Sequence, residues 1–86
     1  MNLRRLESFL ATADTGSVSA AARKLGIGQP AVSKHLIALE KDFGVDLFTR
    51  KSDPAGLTVA GQRLLPIARE IVQSLINAQT LLRRYK

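Results

Sequence analysis

The sequence of 86 residues has no cysteine and only one histidine. Without cysteine the chain has no disulfide framework, no thiolate metal site and no thiol nucleophile. The single histidine, His35, lacks the partners that a metal site or a catalytic pair would require. We therefore expect it to be a partly buried spectator or a neighbour of a binding surface, and we expect no metal and no cofactor.

Acidic residues and long apolar runs are also scarce. The seven acidic residues are scattered, no nucleophile has a base at a suggestive spacing, and no glycine-rich phosphate loop occurs, so an enzyme is the least favoured class. The first residues lead into an amphipathic pattern rather than an unbroken apolar run. This pattern predicts neither a signal peptide nor a membrane span, and it favours a cytoplasmic protein.

Basic residues, by contrast, are abundant. Thirteen Lys and Arg against seven Asp and Glu give a net charge of +6, and the pI is near 10.6. This balance favours a polyanionic partner, either nucleic acid or an anionic membrane surface. The hydrophobic fraction of 45% is enough for one packed core, and the length allows only one.

Apolar residues recur every three or four positions and predict three helices in the first half of the chain. Gly16 is suited to end the first helix, Ser17 to cap the second and Gly44 to end the third. Pro30 fits the first turn of the third helix, where its missing amide loses no hydrogen bond. The predicted helices cover residues 2–14, 18–25 and 29–43.

The second half predicts a small hairpin and one long helix. Two short extended pieces, residues 47–50 and 56–58, flank the turn-rich segment 51–55. Thr58 is suited to cap a last helix over residues 59–84. Along that helix apolar residues alternate by four and three, which is typical of a seam between paired helices, and the first helix alone could not cover them all. The seam predicts a homodimer through Leu64, Ala68, Ile71, Leu75, Ala78 and Leu82.

The segment from residue 17 to residue 40 has the pattern of a helix-turn-helix. Two short helices joined by a glycine-containing turn require small or apolar residues at fixed offsets where they touch. Ala22 is small at the contact, Gly26 permits the turn, Ile27 fills the gap, and Val32 and Leu36 face inward. The agreement of these constraints with the basic charge predicts a DNA-binding helix-turn-helix.

The third helix would then lie in the major groove with its first turns on base edges. Removing the inward residues leaves Gln29, Pro30, Ser33 and Lys34 exposed. Gln pairs with adenine, Lys donates to guanine, Ser serves several bases, and a proline ring contacts a thymine methyl. Two alternatives remain open: Gln29 and Pro30 serve only to begin the helix, and Lys34 contacts only phosphate.

The segments TGSVSAAARKLGIGQPAVSKHLIALEKDFGVDLFTR and LTVAGQRLL resemble, in order and spacing, the N-terminal domain of LysR-type transcriptional regulators. The resemblance implies a mainly α winged helix-turn-helix over residues 1–58 and a dimerising linker helix over residues 59–86. It also implies a bacterial regulator whose effector-binding domain is absent from this chain, so that any small-molecule effector acts only through that domain. The DNA would be double-stranded with roughly palindromic half-sites.

The resemblance also assigns roles to individual residues. Base contact falls to Gln29, Pro30, Ser33 and Lys34. Contact with the DNA backbone falls to Ser17, Ser19, Arg50 and Thr58. In the wing, the hairpin of residues 47–58, the tip departs from the family pattern because Asp53 stands where basic residues are usual. We expect Lys51 to contact the backbone and Asp53 to have no direct role.

Two rival functions compete with DNA binding. The last helix ends in LLRRYK, which permits an amphipathic helix resting on lipid, although its cations cluster at the end rather than along one face. A helical protein-interaction domain is also compatible with the charge, but it gives no reason for the polar set at the start of the third helix.

Overall fold

In a computed structural model, residues 2–49 and 56–86 are described, and they form four α-helices and a short 3₁₀ turn, Arg83–Tyr85. The boundaries of the second and third helices agree with the prediction. The first begins and ends one residue later, and the last ends two residues earlier than predicted. The helices are α1 (Leu3–Thr15), α2 (Val18–Leu25), α3 (Gln29–Phe43) and α4 (Val59–Leu82).

The predicted cap residues form the helix ends. Gly16 and Gly44 adopt left-handed conformations, with φ of 85° and 68°, which a side chain would strain. The Ser17 hydroxyl accepts a hydrogen bond from the Ala20 amide at 3.0 Å at the start of α2. Asn2 lies outside α1 because its side chain accepts from the Arg4 amide at 2.8 Å, and it therefore caps this helix.

The core is built around α1, which packs against α2, α3 and α4. Leu6 and Phe9 of α1 are fully buried, and the Phe9 ring meets the Phe48 ring in a tilted arrangement with centroids 5.7 Å apart. Leu39 of α3 and Leu47, just ahead of Phe48, are fully buried in the same cluster. One core thus joins the helix-turn-helix, the base of the wing and the start of α4.

The base of the wing is fixed to α3. Phe48 and Leu57 form an antiparallel bridge, and the Thr49 amide donates to the Gly56 carbonyl at 2.8 Å. The Glu40 carboxylate accepts from the amides of residues 47 and 48 at 2.8 and 3.3 Å. These contacts agree with the predicted hairpin; its tip lies outside the described residues.

The first half of α4 packs against α1. The predicted dimer seam therefore has a first part that is buried within the chain and a second part that is exposed. Ala68 is 0% exposed and belongs to the core of its own chain, so the prediction that it contacts a partner chain was wrong. Leu64 is partly buried against the same core. A four-three repeat shows that a helix has an apolar face but does not say which helix covers it. Beyond Ala68 the seam residues are exposed, which leaves Ile71, Leu75, Ala78 and Leu82.

Within residues 2–49 and 56–86, two ion pairs connect α1 to its neighbours. Arg69 of α4 makes two hydrogen bonds to the Asp14 carboxylate, at 3.0 and 3.2 Å, and Arg5 pairs with Asp42 of α3 at 2.8 Å. The hydrogen bond from Arg69 holds the pKa of Asp14 below its usual value. The pair therefore stabilises the fold above the ordinary carboxyl pKa, and this contribution is lost as the pH falls through the lowered value. Because both side chains are partly solvated, the contribution is small.

Candidate nucleic-acid interface

The contact between α2 and α3 has the small, apolar character that the sequence predicts. Ala21 and Ala22 are the buried residues of α2, which packs against α3 and α1, and Gly26 ends α2 in a left-handed conformation with φ of 70°. The Ile27 amide then donates to the Ala22 carbonyl at 3.1 Å, which closes the turn. Short side chains at this contact let the two helix backbones approach closely and fix the orientation of α3.

The start of α3 presents the predicted base-reading residues to solvent. Gln29, Pro30 and Lys34 are exposed, and Ser33 is half-buried on the same side. The opposite side of the helix, with Val32, Leu36 and Leu39, is buried. The structure thus brings the four predicted residues together on one free surface. Whether they contact bases stays a prediction.

The hydroxyl of Ser19 connects α2 to the start of α3. It accepts from Nε2 of Gln29 at 3.1 Å and from Nη1 of Arg23 at 3.3 Å. Ser17, also predicted to contact the DNA backbone, uses its oxygen as the α2 cap and keeps its hydroxyl proton for another acceptor. Sequence reasoning missed Arg23, although its position four residues after Ser19 places it on the same helix face.

The predicted contacts from the wing have different outcomes. Arg50, Lys51 and Asp53 lie outside the described residues. The Thr58 hydroxyl donates to the Asp46 carbonyl at 2.7 Å and accepts from the Gly61 amide at 3.0 Å. Because a hydroxyl has only one proton, Thr58 has none left for a phosphate while this arrangement holds. Its observed role is to cap α4 and anchor the chain that precedes it.

Ile37 is a candidate that the sequence analysis passed over. Its side chain is 56% exposed, and it follows Ser33 by four residues, on the same face of α3. Lys34 and Lys41, both exposed, lie on either side of it along the helix. The spacing of four residues from Ser33 already indicates this position in the sequence, but it lies beyond the first turns of α3, to which the predicted base contacts were confined.

His35 is partly buried, as expected for a spectator. Its Nδ1 lies 2.7 Å from the hydroxyl of Ser8, which is fully buried in α1. The pair joins α3 to α1 at a partly buried contact. Within residues 2–49 and 56–86, no cluster of His, Cys, Asp or Glu is arranged to hold a metal ion. None of the helices formed by these residues has both the length and the apolar character to cross a membrane.

Comparison with known families identifies this arrangement. The family of bacterial regulatory helix-turn-helix proteins called lysR matches residues 3–62. The chain belongs to the lysR family. The transcriptional regulator MetR of Haemophilus influenzae is 41% identical over 86 residues, 100% of this chain and 28% of that protein. The regulator ClcR of Pseudomonas putida is 43% identical over 72 residues, 84% of this chain and 24% of that protein. The chain thus spans under a third of either relative.

Solved structures of this family share the fold. The DNA-binding domain of BenM in complex with catB site 1 DNA has a TM-score of 0.89 and 31% identity, covering 98% of this chain and 93% of that one. The DNA-binding domain of CbnR in complex with DNA has a TM-score of 0.85 and 36% identity, covering 99% and 98%. The predicted winged helix-turn-helix with a long last helix is therefore confirmed for this lysR-family chain.

Proposed function

We propose that this lysR-family chain binds double-stranded DNA as a dimer and regulates transcription from the promoters that carry its site. The observation that carries the proposal is the polar face at the start of α3, held outward by a buried opposite face. The similarity to BenM and CbnR domains solved in complex with DNA supports it. So does the net charge of +6.

Specificity would come from the first turns of α3 in the major groove. Gln29 offers one acceptor and two donors, which suits adenine, and Lys34 offers donors for guanine. Ser33 adds a hydroxyl, and the Pro30 ring adds an apolar contact for a thymine methyl. Each well-placed base contact contributes about 1 to 3 kcal/mol of discrimination between bases.

Affinity would come mainly from neutralised phosphates. Arg23 of α2 and Lys41 of α3 are exposed beside the reading face, which is the surface formed by Gln29, Pro30, Ser33 and Lys34. The amides at the start of α2, together with the Ser17 hydroxyl, supply further donors for a phosphate. Binding should therefore weaken steeply with salt on every duplex, because each neutralised phosphate releases counterions.

The dimer would form through the exposed part of α4. Ile71, Leu75 and Leu82 are exposed large apolar residues that share one face of this helix. A second copy of the chain would cover them, and twofold symmetry would place two α3 helices on two half-sites. Half-sites separated by about one helical turn, or a multiple of it, follow from that symmetry.

Gln29→Ala is expected to weaken binding to the preferred duplex by about 1 to 3 kcal/mol and to leave binding to random duplex nearly unchanged. The preferred duplex is first selected from a random pool with the unmodified chain. Fluorescence anisotropy at one fixed salt concentration then gives both dissociation constants.

Lys24→Ala is the matched control for Gln29→Ala. Lys24 is an exposed cation at the end of α2 and lies off the reading face, so its loss should affect both duplexes equally. Equal losses for Gln29→Ala on both duplexes would show that Gln29 does not read a base. A pool that yields no preferred sequence would contradict sequence-specific binding.

Ile37 is expected to contact a thymine methyl, because an exposed apolar side chain beside Ser33 suits that group. Replacing single thymines of the selected site with uracil removes only the methyl. At one position this should weaken binding by the unmodified chain about 3- to 10-fold, by an apolar contact of order 1 kcal/mol. Ile37→Ala should bind both duplexes alike, whereas Val45→Ala, a control at an exposed apolar residue after α3, should retain the preference. A uracil effect that persists in Ile37→Ala would refute the contact.

A further inference from the structure

A hydrogen bond connects Ser19 of α2 to Gln29, one of the proposed base-reading residues. We infer that Ser19 is a positioning residue, which fixes the Gln29 amide so that its remaining hydrogen-bonding groups face the major groove. The inference rests on the proposed DNA-binding function and deepens it. Ser19 would thus determine base specificity without touching a base.

The side-chain amide of glutamine is mobile when nothing restrains it. Gln29 is the first residue of α3 and is exposed, so packing alone does not select its orientation. Its Nε2 donates to the Ser19 hydroxyl at 3.1 Å. In this arrangement the Nε2 end of the amide faces the Ser19 oxygen, which also accepts from Arg23, and the carbonyl end is left for another donor.

The donors and acceptors balance for adenine recognition. Nε2 carries two protons, of which Ser19 uses one and leaves one for N7 of adenine. Oε1 remains free to accept from the adenine N6 amino group. The bond to Ser19 is therefore compatible with a bidentate contact, and the amide would need no reorganisation on binding, which favours affinity for that base.

Arg23 donates to the same Ser19 oxygen as Gln29. The serine oxygen has two acceptor sites, and the donors from Arg23 and Gln29 occupy both. The hydroxyl proton then points away from both donors and is available to a phosphate. Arg23 keeps further donors in its guanidinium group, so it too can bind phosphate. Ser19 would link a phosphate contact on α2 to a base contact on α3.

The test measures discrimination at the base that Gln29 reads. That position is the one at which Gln29→Ala loses the preference of the unmodified chain. Dissociation constants for the four possible base pairs there give a discrimination ratio, expected at roughly 5- to 150-fold for one bidentate contact. Ser19→Ala should reduce this ratio several-fold, Ser19→Thr should restore most of it, and Lys24→Ala should leave it unchanged.

A role limited to phosphate contact predicts a different pattern. Ser19→Ala would then weaken all four duplexes by the same factor, the ratio would be unchanged, and the inference would be wrong. The double variant Ser19→Ala with Gln29→Ala should show no further loss of ratio beyond Gln29→Ala alone, and an additional loss would also count against it. If Gln29→Ala changes no preference at any position, both the base-reading role of Gln29 and this inference fail.

A second measurement is independent of DNA and of the proposed function. In the free chain, the side-chain amide proton of Gln29 that is bonded to Ser19 should have an NMR shift displaced from that of a solvated glutamine. Ser19→Ala should bring this shift close to the solvated value, and Ser19→Thr should keep it displaced. Unchanged shifts in Ser19→Ala would overturn the positioning role even where sequence-specific binding is found.

Discussion

Gly61→Ala is expected to lower the free energy of unfolding by about 3 kcal/mol, the upper end of the usual range for overpacking. A Cβ at this position would lie 2.2 Å from the backbone carbonyl oxygen of Leu47. The same oxygen accepts from the Thr58 amide at 3.0 Å, so it has little freedom to move. Relief of the clash would shift either α4 or the base of the wing. For a domain of this size, the midpoint temperature of thermal unfolding should fall by roughly 12 to 24 °C.

Gly28→Ala provides the matched control. A Cβ on Gly28 would meet only the Pro30 ring, at 3.6 Å, and the backbone there is extended. Gly28→Ala should lower the free energy of unfolding by no more than about 1 kcal/mol, because glycine is favoured over alanine as a helix cap. If the two variants had the same melting curve, the close approach of α4 to Leu47 would not be the reason for glycine at position 61.

Leu75→Asp is expected to convert the dimer to folded monomers. Leu75 is 37% exposed in the single chain, so its replacement should cost the monomer fold little. A charge in the middle of an apolar interface is costly, because it loses water without gaining a partner. Losing the link between two DNA-reading units should weaken binding to a two-half-site duplex by about 10²- to 10⁴-fold, while binding to one half-site is unchanged. Sedimentation and anisotropy measure the two effects.

Thr80→Asp introduces the same charge on the opposite side of the same helix. Thr80 is exposed and lies five residues after Leu75, which places it far from the apolar face. The Thr80→Asp variant should remain dimeric and keep full affinity for the two-half-site duplex. A dimer that survives Leu75→Asp would mean that the chains pair through another surface.

The helices and their ends could be predicted from the sequence because their causes are local. The apolar spacing sets each helix face, and Gly16, Ser17 and Thr58 act on backbone groups within a few residues. The exposed set at the start of α3 followed in the same way, by removing the inward residues Val32 and Leu36.

Contacts between distant residues could not be predicted in this way. Glu40 was not assigned a role, because its partners are two backbone amides seven and eight residues away across a turn. Gly61 was likewise passed over, since the atom that excludes its side chain belongs to Leu47. Ala68 was misassigned because it lies in the core of its own chain. In each case the folded arrangement, rather than the residue type, decides the role.

The carboxylate of Glu40 also has a mechanical consequence. It lies on α3 and accepts hydrogen bonds from both amides at the entrance to the wing, so it connects the base of the wing directly to α3. Tilting the helix toward one wall of the groove would carry the wing with it. We therefore expect the affinity for different DNA sites to depend partly on groove width. A duplex whose groove fits α3 poorly would also place the hairpin poorly.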